Sequence, residues 1–403
     1  MLTASPSRPT DPDRSASEAG AGAVLAYMPA LDGLRGLAVA AVLAFHTGHF
    51  SGGFLGVDLF FVLSGFLITS LLMAEWRATG TIDLRRFWAR RARRLLPALF
   101  VVLAAVVAYA AVLAAPDELA AIRGDVLATL GYVANWEHIV GSTGEASPFA
   151  VLSPLEHTWS LAIEEQFYLV WPLLVTAVLA LAAGPSRCLL GVVAVLGAGS
   201  ALVMAVLSDP SDPARAQFGT DTRALPILAG AGLALVLHRW GPLRSPRARR
   251  DVIAGLAAAA ALAAAWIVAF GTDDGLYRGG FVLFALAAVI VVAAAAQPEQ
   301  GPLGRALSFA PLRALGLISY GLYLWHWPVY VVLSASRTGL DGWALNGLRV
   351  GVSLALAVAS YHVVERPVRS GALRGRGAWV AALASVGAIV AGTLVATSGR
   401  GEP

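Results

Sequence analysis

The chain has 403 residues, of which 58% are hydrophobic and 13% are charged, whereas a typical soluble domain is about 25% charged. This composition excludes an ordinary soluble protein and predicts that most of the chain lies in a lipid bilayer. The single cysteine, Cys188, excludes an intramolecular disulfide and a cysteine-based zinc cluster. The formal net charge of +4 does not indicate nucleic-acid binding, because the basic residues, all arginines, concentrate between apolar stretches.

Residues 1–27 are rich in Ser, Pro, Ala, Asp and Gly and have no hydrophobic periodicity. We expect a disordered tail here, on the cytoplasmic side. A secretory signal is not expected, because the first apolar stretch starts late and continues into a helix that carries ionisable residues.

Hydropathy predicts eleven membrane-spanning helices and therefore an all-α, polytopic transmembrane helix bundle. The predicted spans lie near residues 30–50, 54–74, 96–114, 160–183, 188–207, 223–240, 251–270, 279–296, 314–334, 344–363 and 378–396. Some of them are a little shorter than the roughly 20 residues that a span needs.

The distribution of arginine predicts the orientation of the bundle. With a cytoplasmic N-terminus, 21 of the 29 arginines fall in cytoplasmic segments, 5 in external segments and 3 within spans. This bias follows the positive-inside rule and predicts a multi-pass protein of the plasma membrane with an external C-terminus. We expect an arginine-dense cytoplasmic loop at 75–95 and a large external loop at 115–157.

The first two spans carry three ionisable side chains inside otherwise apolar sequence. Arg35 and His46 are eleven residues apart, which places them on one helix face about 16 Å apart along the axis. Such groups normally face the protein interior, a pair or a water-filled cavity. A buried pair that only holds the helices together is the structural alternative.

Asp58 follows His46 across the short connection Ser51–Gly53. We expect an antiparallel hairpin that places the two side chains at similar depth. A carboxylate that accepts a hydrogen bond from one imidazole nitrogen fixes the tautomer and raises the basicity of the other nitrogen. The sequence therefore predicts that Asp58 orients His46.

Three later stretches place further polar side chains within predicted spans. Glu164 and Glu165 are neighbours, about 100° apart on a helix, so at least one of them should face a polar interior. Arg223 lies at the start of the sixth span, where a snorkelling arginine is the alternative. His326 lies inside the ninth span, where a hydrogen bond between helices is as reasonable as catalysis.

Several of these stretches together resemble one family. Leu31-Asp32-Gly33-Leu34-Arg35 with His46, and the stretch from Gly53 to Ile68, resemble the acyltransferase 3 family. Residues 157–172 and 319–328 also match it, so the resemblance covers about residues 28–370. Members are membrane enzymes that transfer acyl groups from coenzyme A to hydroxyls of sugars, polysaccharides or glycosylated small molecules.

The resemblance implies a domain at 28–370 with ten core helices, followed at 371–403 by an extra C-terminal helix and a short external tail. It implies acyl-coenzyme A, with acetyl as the expected acyl group, as donor substrate, a carbohydrate or glycosylated acceptor, and no permanent cofactor or metal. The catalytic residues would be His46 and Arg35, with Asp58 as the orienting carboxylate. Arg91 and Arg94 match the family's Arg-x-x-Arg motif before Pro97, where guanidinium groups would bind the donor's phosphates. Acceptor-side residues would be His157, Glu164, Glu165, Arg223 and His326.

A transporter or flippase for an envelope precursor is the alternative function, because it would also place charged residues in a polar cavity. That alternative predicts paired inverted repeats and interrupted helices in both halves of the chain. Neither pattern is visible in the sequence.

Overall fold

The computed structural model describes residues 27–142, 153–182, 185–209, 212–241, 249–299, 301–372 and 375–398. Almost all of the tail predicted at 1–27 lies outside these residues, as does residue 399 onward. Within the described part of the chain all regular structure is helical, which confirms the prediction of an all-α polytopic bundle.

Eighteen α-helices are described. They are α1 (Pro29–His46), α2 (Gly56–Thr79), α3 (Leu84–Val112), α4 (Leu119–Leu130), α5 (Ala134–Ser142), α6 (Trp159–Leu181), α7 (Pro185–Leu207), α8 (Ala214–Phe218), α9 (Thr220–Trp240), α10 (Arg249–Val268), α11 (Phe281–Ala295), α12 (Pro302–Leu307), α13 (Ala310–Leu317), α14 (Ser319–Val332), α15 (Ala335–Thr338), α16 (Gly342–Ser360), α17 (Arg366–Ser370) and α18 (Gly375–Thr397). Short 3₁₀ segments at Gly53–Leu55, Pro116–Glu118 and Glu156–Thr158 precede α2, α4 and α6, and π-helical turns at Leu276–Gly280 and Tyr361–Glu365 precede α11 and α17.

Ten helical stretches among the described residues are long and apolar enough to cross a membrane. The ninth predicted span, at 314–334, is instead the pair α13 and α14, which meet at Ile318. The pair packs tightly on α1: a Cβ atom at Gly316 would lie 1.8 Å from the carbonyl oxygen of Asp32. Glycine at this position therefore lets the end of α13 contact the backbone of α1, and α14 continues alone as a 14-residue helix.

The arginine-dense segment is helical, and the prediction of a loop at 75–95 was wrong for most of that range. Helix α3 begins at Leu84, where the Asp83 side chain accepts a hydrogen bond from the backbone N–H of Arg86. Aspartate is a favoured N-cap residue, and arginine has a high helix propensity, so the run of arginines extends the membrane helix. Pro97 lies inside the helix and does not end it.

Helices α2 and α9 form the most extensive contact between any two of the described helices. A Cβ atom at Gly65 would lie 1.8 Å from the carbonyl oxygen of Ile227, and one at Gly230 would lie 2.0 Å from that of Val62. Small residues allow such close backbone approach between membrane helices. These contacts fix α2 in the centre of the bundle, with the first half of its length almost entirely buried.

The helix ends group into two opposite faces. On one face, which we call the arginine face, the start of α3 lies beside α17 and the start of α18, and the start of α1 packs on Leu307 of α12. On the opposite face, the Asn346 side chain donates to the backbone oxygen of Thr47, and Arg123 donates to Thr397. This division of the helix ends agrees with the alternation of the predicted spans.

Candidate active site

A small polar cavity lies between the arginine-face ends of helices α1 and α3 and the first half of α6. Its volume is about 60 Å³. Three arginines line it: Arg35 from α1, and Arg91 and Arg94 from α3. The other polar lining residues are Ser64, Ser160, Glu164, Tyr168, Ser319, Tyr320 and Tyr323. We call this site the arginine cavity.

Hydrogen bonds and ring contacts hold the walls of the arginine cavity in place. The Glu164 carboxylate accepts hydrogen bonds from the hydroxyls of Ser64 and Tyr168. The Arg91 guanidinium lies 4.9 Å from the centre of the Tyr168 ring, a cation–π contact. Tyr320 donates to the backbone oxygen of Leu95 over 3.0 Å. The cavity therefore presents the Arg91 guanidinium in a position that a neighbouring aromatic ring helps to set.

Three histidines from different parts of the chain meet nearer the opposite face. The ring centres of His46 and His326 are 5.1 Å apart, and those of His157 and His326 are 5.3 Å apart. Trp327 and Tyr330 pack against His46 at 4.7 and 6.4 Å. We call these five residues the histidine cluster.

The tautomer of His46 follows from its hydrogen bond. Its Nδ1 lies 3.0 Å from the backbone oxygen of Val42, one helical turn earlier. Because a carbonyl oxygen can only accept, Nδ1 carries the proton and Nε2 carries a free lone pair. His326 Nδ1 donates in the same way to the backbone oxygen of Tyr323. Both rings therefore offer a basic Nε2 atom.

Several polar atoms of the histidine cluster are buried and have no hydrogen-bond partner among the described residues. They are both ring nitrogens of His157, Nε2 of His326 and the hydroxyl of Tyr330. Most buried polar groups in native proteins are bonded, and exceptions concentrate at functional sites. The cluster therefore has hydrogen-bonding capacity that a substrate could use.

Tyr323 joins the arginine cavity to the histidine cluster. Its ring packs on both His157 and His326, at 5.4 and 5.3 Å between ring centres. Its hydroxyl bonds the Ser160 hydroxyl over 2.6 Å and donates to the backbone oxygen of His157 over 3.0 Å. Because Tyr323 and Ser160 also line the arginine cavity, the two sites form one continuous polar region.

Asp58 does not orient His46, and the predicted contact between them was wrong. The Asp58 carboxylate forms an ion pair with Arg223, 3.0 Å between Oδ2 and Nη2, and both side chains are at most 2% exposed. The fold explains the difference. Cβ atoms at Gly53 and Gly56 would lie 2.2 and 2.4 Å from the backbone oxygens of Ala41 and Ala38.

The chain thus folds back along α1 before α2 begins. Asp58 lies opposite the middle of α1, on the order of 12 Å along the axis from His46. There it meets α9 rather than the end of α1. The Arg223 guanidinium also lies over the Phe281 ring at 4.2 Å, so this pair is part of the packing between α2, α9 and α11.

The structure divides the predicted site residues into three groups. Arg35 joins Arg91, Arg94 and Glu164 in the arginine cavity, His157 and His326 join His46, and Asp58 and Arg223 pair separately. Glu165 is half-buried beside Glu164 but is not among the residues that line the cavity. Four further residues of the two sites, Ser64, Ser160, Tyr323 and Tyr330, were not predicted from the sequence. The i, i+3, i+7 spacing of Tyr323, His326 and Tyr330 could have revealed a shared helix face.

One further group of potential ligands lies outside the spans. Carboxylate and imidazole atoms of Asp125, Glu137 and His138 lie within 4.8 Å of one another. Burial raises the pKa of the Asp125 carboxyl to about 6, which reduces its charge in mildly acidic solution. The expectation that the protein binds no metal stays a prediction.

A family model described as an acyltransferase domain matches residues 28–396. The chain belongs to the acyltransferase 3 family. The matched range contains every residue of the arginine cavity and the histidine cluster, and it includes most of α18.

Curated relatives carry names that refer to O-acetyl transfer. The chain is 41% identical to "Peptidoglycan O-acetyltransferase OatA" of Listeria monocytogenes over 85% of this chain and 56% of the relative. It is 40% identical to "Putative peptidoglycan O-acetyltransferase YrhL" of Bacillus subtilis (86% and 56%), and 35% identical to "O-acetyltransferase OatA" of Staphylococcus aureus (85% and 57%). The chain spans about half the length of these relatives. No solved structure matches it significantly.

Proposed function

We propose that the protein is an integral-membrane O-acetyltransferase that transfers an acetyl group from acetyl-coenzyme A to a hydroxyl of a cell-wall glycan. The observation that carries this proposal is the continuity of the arginine cavity with the histidine cluster through Tyr323. The names of the relatives, which specify O-acetylation and in two cases peptidoglycan, support the reaction and the acceptor class.

The donor binds in the arginine cavity. Arg35, Arg91 and Arg94 offer three guanidinium groups within one small space, and guanidinium binds phosphate through paired, charge-assisted hydrogen bonds. The phosphates of coenzyme A supply the matching negative charge. Because Tyr168 stacks on Arg91, this arginine loses little further side-chain freedom when the donor binds. The pantetheine arm then extends past Tyr323 toward His46.

His46 acts as the base at the other end of this path. Its Nε2 takes the proton from an acceptor hydroxyl, and the hydroxyl oxygen attacks the thioester carbonyl. The tetrahedral intermediate expels the coenzyme A thiolate, which takes the proton back from Nε2. A route in which Nε2 first accepts the acetyl group would use the same atom.

Arg35 could either position the donor or stabilise the developing oxyanion, and its place in the structure supports the first of these roles. It lines the cavity with Arg91 and Arg94 and lies about 16 Å along α1 from His46. Arg35 therefore positions the donor, and another group must bond the oxyanion that develops beside His46. His157 and His326 lie beside His46 and contact the acceptor, while the position of Glu164 points to the donor side.

The same proposal places the arginine face in the cytoplasm of a cell whose plasma membrane holds the protein. Acetyl-coenzyme A is made and kept in the cytoplasm, and a cell-wall acceptor lies outside, so the two sites face the two compartments. In a Cys188→Ala background, a membrane-impermeant maleimide added to intact cells should label Ser142→Cys and not Thr79→Cys. Labelling of Thr79→Cys in sealed cells would reverse or reject this topology.

The reaction itself is tested with purified protein and acetyl-coenzyme A labelled in the acetyl group. We expect free thiol and labelled glycan when peptidoglycan fragments are added, and neither product with His46→Ala. A transporter would release no thiol with any acceptor. Label on a glycosylated small molecule but not on glycan would assign a different acceptor to the same chemistry. The acetyl content of the envelope in a deletion strain gives an independent measure.

A further inference from the structure

A groove much larger than the arginine cavity lies between α3 and the C-terminal helix α18. Its volume is about 670 Å³. On α3 its lining follows one helix face: Ala89, Ala92, Arg93, Leu96, Pro97, Phe100, Val101 and Ala104. This face differs from the one that carries Arg91 and Arg94 into the arginine cavity. The proposed donor and acceptor sites therefore make no use of the groove.

The two helices contact each other toward the opposite face, beyond the end of the groove. There a Cβ atom at Gly392 would lie 3.1 Å from a methyl carbon of Val107, and Thr393 is buried. Arg123 clamps the same end by donating to the side chain and backbone of Thr397 over 2.8 and 2.6 Å. Toward the arginine face the groove lies between the two helices, and Trp379, one of its lining residues, is 61% exposed.

The lining combines apolar side chains with one charge. Alanine is its commonest residue, with Ala89, Ala92 and Ala104 on α3 and Ala378, Ala381, Ala382 and Ala388 on α18. The hydroxyl of Ser385 is already bonded to the backbone oxygen of Ala381. Among the lining residues Arg93 alone is charged, and it lies one turn from the end of the groove at the arginine face.

These dimensions match a lipid chain in one leaflet. From Ala89 to Ala104 the lined stretch of α3 is about 22 Å long, compared with about 15 Å for half of a typical hydrocarbon core. The groove thus has about the length of one leaflet, from the headgroup region toward the middle of the bilayer. Arg85, Arg86 and Arg90 are exposed on the same end of α3, so the local field attracts anionic headgroups.

We propose that this groove binds one acyl chain of an anionic phospholipid from the leaflet at the arginine face. The phosphate meets Arg93 through a charge-assisted hydrogen bond, and the chain fills the space between the alanine-lined walls. The bound lipid then contacts both α18 and α3 along the groove. This inference does not depend on the acyl-transfer proposal.

The experiment uses the full chain purified in a neutral detergent. Phosphatidylglycerol or phosphatidylcholine with identical acyl chains is added, and the apparent melting temperature is measured. We expect phosphatidylglycerol to raise the melting temperature of the wild-type protein more than phosphatidylcholine does. Arg93→Gln should remove this excess, whereas Arg86→Gln, a matched loss of charge outside the groove, should keep most of it. Ala382→Phe, which fills the groove, should abolish stabilisation by either lipid.

Native mass spectrometry provides a second readout that does not require any variant to be stable to heating. Wild-type and Arg86→Gln protein should retain one phosphatidylglycerol, and Arg93→Gln protein should lose it at the same collision energy. Equal stabilisation of the wild-type protein by the two lipids would overturn the proposal. So would identical behaviour of the Arg93→Gln and Arg86→Gln variants.

Discussion

The arginine cavity and the histidine cluster belong to one polar region, but they differ in how many of their polar atoms have hydrogen-bond partners. In the cavity, Glu164 and Tyr320 are hydrogen-bonded and Arg91 is stacked on a ring. In the cluster, His157, His326 and Tyr330 are buried with unbonded atoms. These three cavity side chains are thus held in place before a ligand arrives, whereas the cluster would complete its hydrogen bonds only with one.

This difference has an energetic meaning. Each buried polar atom without a partner costs about 1–3 kcal/mol, and the cluster contains four of them. A purely structural site would lose nothing by replacing these groups with apolar ones. Their presence beside a histidine with a free lone pair is the arrangement expected where substrate groups replace the missing partners.

The largest expected effect is the loss of the base. His46→Ala should reduce acetyl transfer by up to the roughly 10²–10⁴-fold that general acid–base catalysis contributes, while coenzyme A binding is retained because the arginine cavity is intact. Single-turnover transfer and equilibrium binding of labelled donor measure the two quantities separately. His362→Ala, on an exposed position of the π-helical turn before α17, is the matched control. Near-normal transfer by folded His46→Ala protein would remove the mechanism.

The buried ion pair should affect stability rather than chemistry. Asp58→Ala or Arg223→Ala leaves an uncompensated buried charge, so each should destabilise the protein by about 3–5 kcal/mol. The double variant Asp58→Leu/Arg223→Met should recover much of that loss and keep its transfer rate. Thermal unfolding and turnover are compared across the set. If Asp58→Asn lowered turnover with an unchanged melting temperature, the prediction would be contradicted, and Asp58 would have a role in the chemistry.

The arginine cavity should respond through donor affinity. Arg91→Ala and Arg94→Ala each remove a charge-assisted bond of about 1.5–3 kcal/mol, so coenzyme A affinity should fall roughly tenfold or more per substitution. Lysine should restore only part of it, because a point charge cannot copy the paired geometry of guanidinium. Arg86→Ala, on the same helix but outside the cavity, should bind the donor normally. Unchanged affinity in the double alanine variant would leave these arginines with a role in topology only.

Much of the fold could be predicted because apolar stretches of span length leave few alternatives in a bilayer. All eleven predicted spans have helical counterparts, and the break at Ile318 escaped notice because it depends on a contact of Gly316 with Asp32. The spacing of Arg35 and His46 predicted the distance between them along one helix. The spacing could not predict which other helices pack against each residue.

The site was less predictable for the same reason. Asp58 was expected beside His46 from the shortness of the connection at Ser51–Gly53. Hydropathy could not show that Gly53 and Gly56 let the chain fold back along α1. Tyr323 and Tyr330 share a face with His326, but a helical face becomes a site only through the helices that meet it.

The smallest expected effect belongs to Tyr330, and it separates the two interpretations of the histidine cluster. The hydroxyl of Tyr330 is buried and unbonded among the described residues, so Tyr330→Phe removes no contact of the free protein. Its melting temperature should stay equal or rise, since an unsatisfied polar group is lost. Tyr323→Phe is the matched control, because its hydroxyl bonds Ser160 and His157 and its loss should cost about 1 kcal/mol of stability.

If the Tyr330 hydroxyl bonds a substrate oxygen or the developing oxyanion beside His46, transfer by Tyr330→Phe should fall about tenfold, the equivalent of one hydrogen bond of about 1.4 kcal/mol. Donor affinity should not change, because the arginine cavity is untouched. Wild-type turnover in Tyr330→Phe would mean that the unbonded atoms of the cluster are a feature of packing, and the contrast with the arginine cavity would lose its functional meaning.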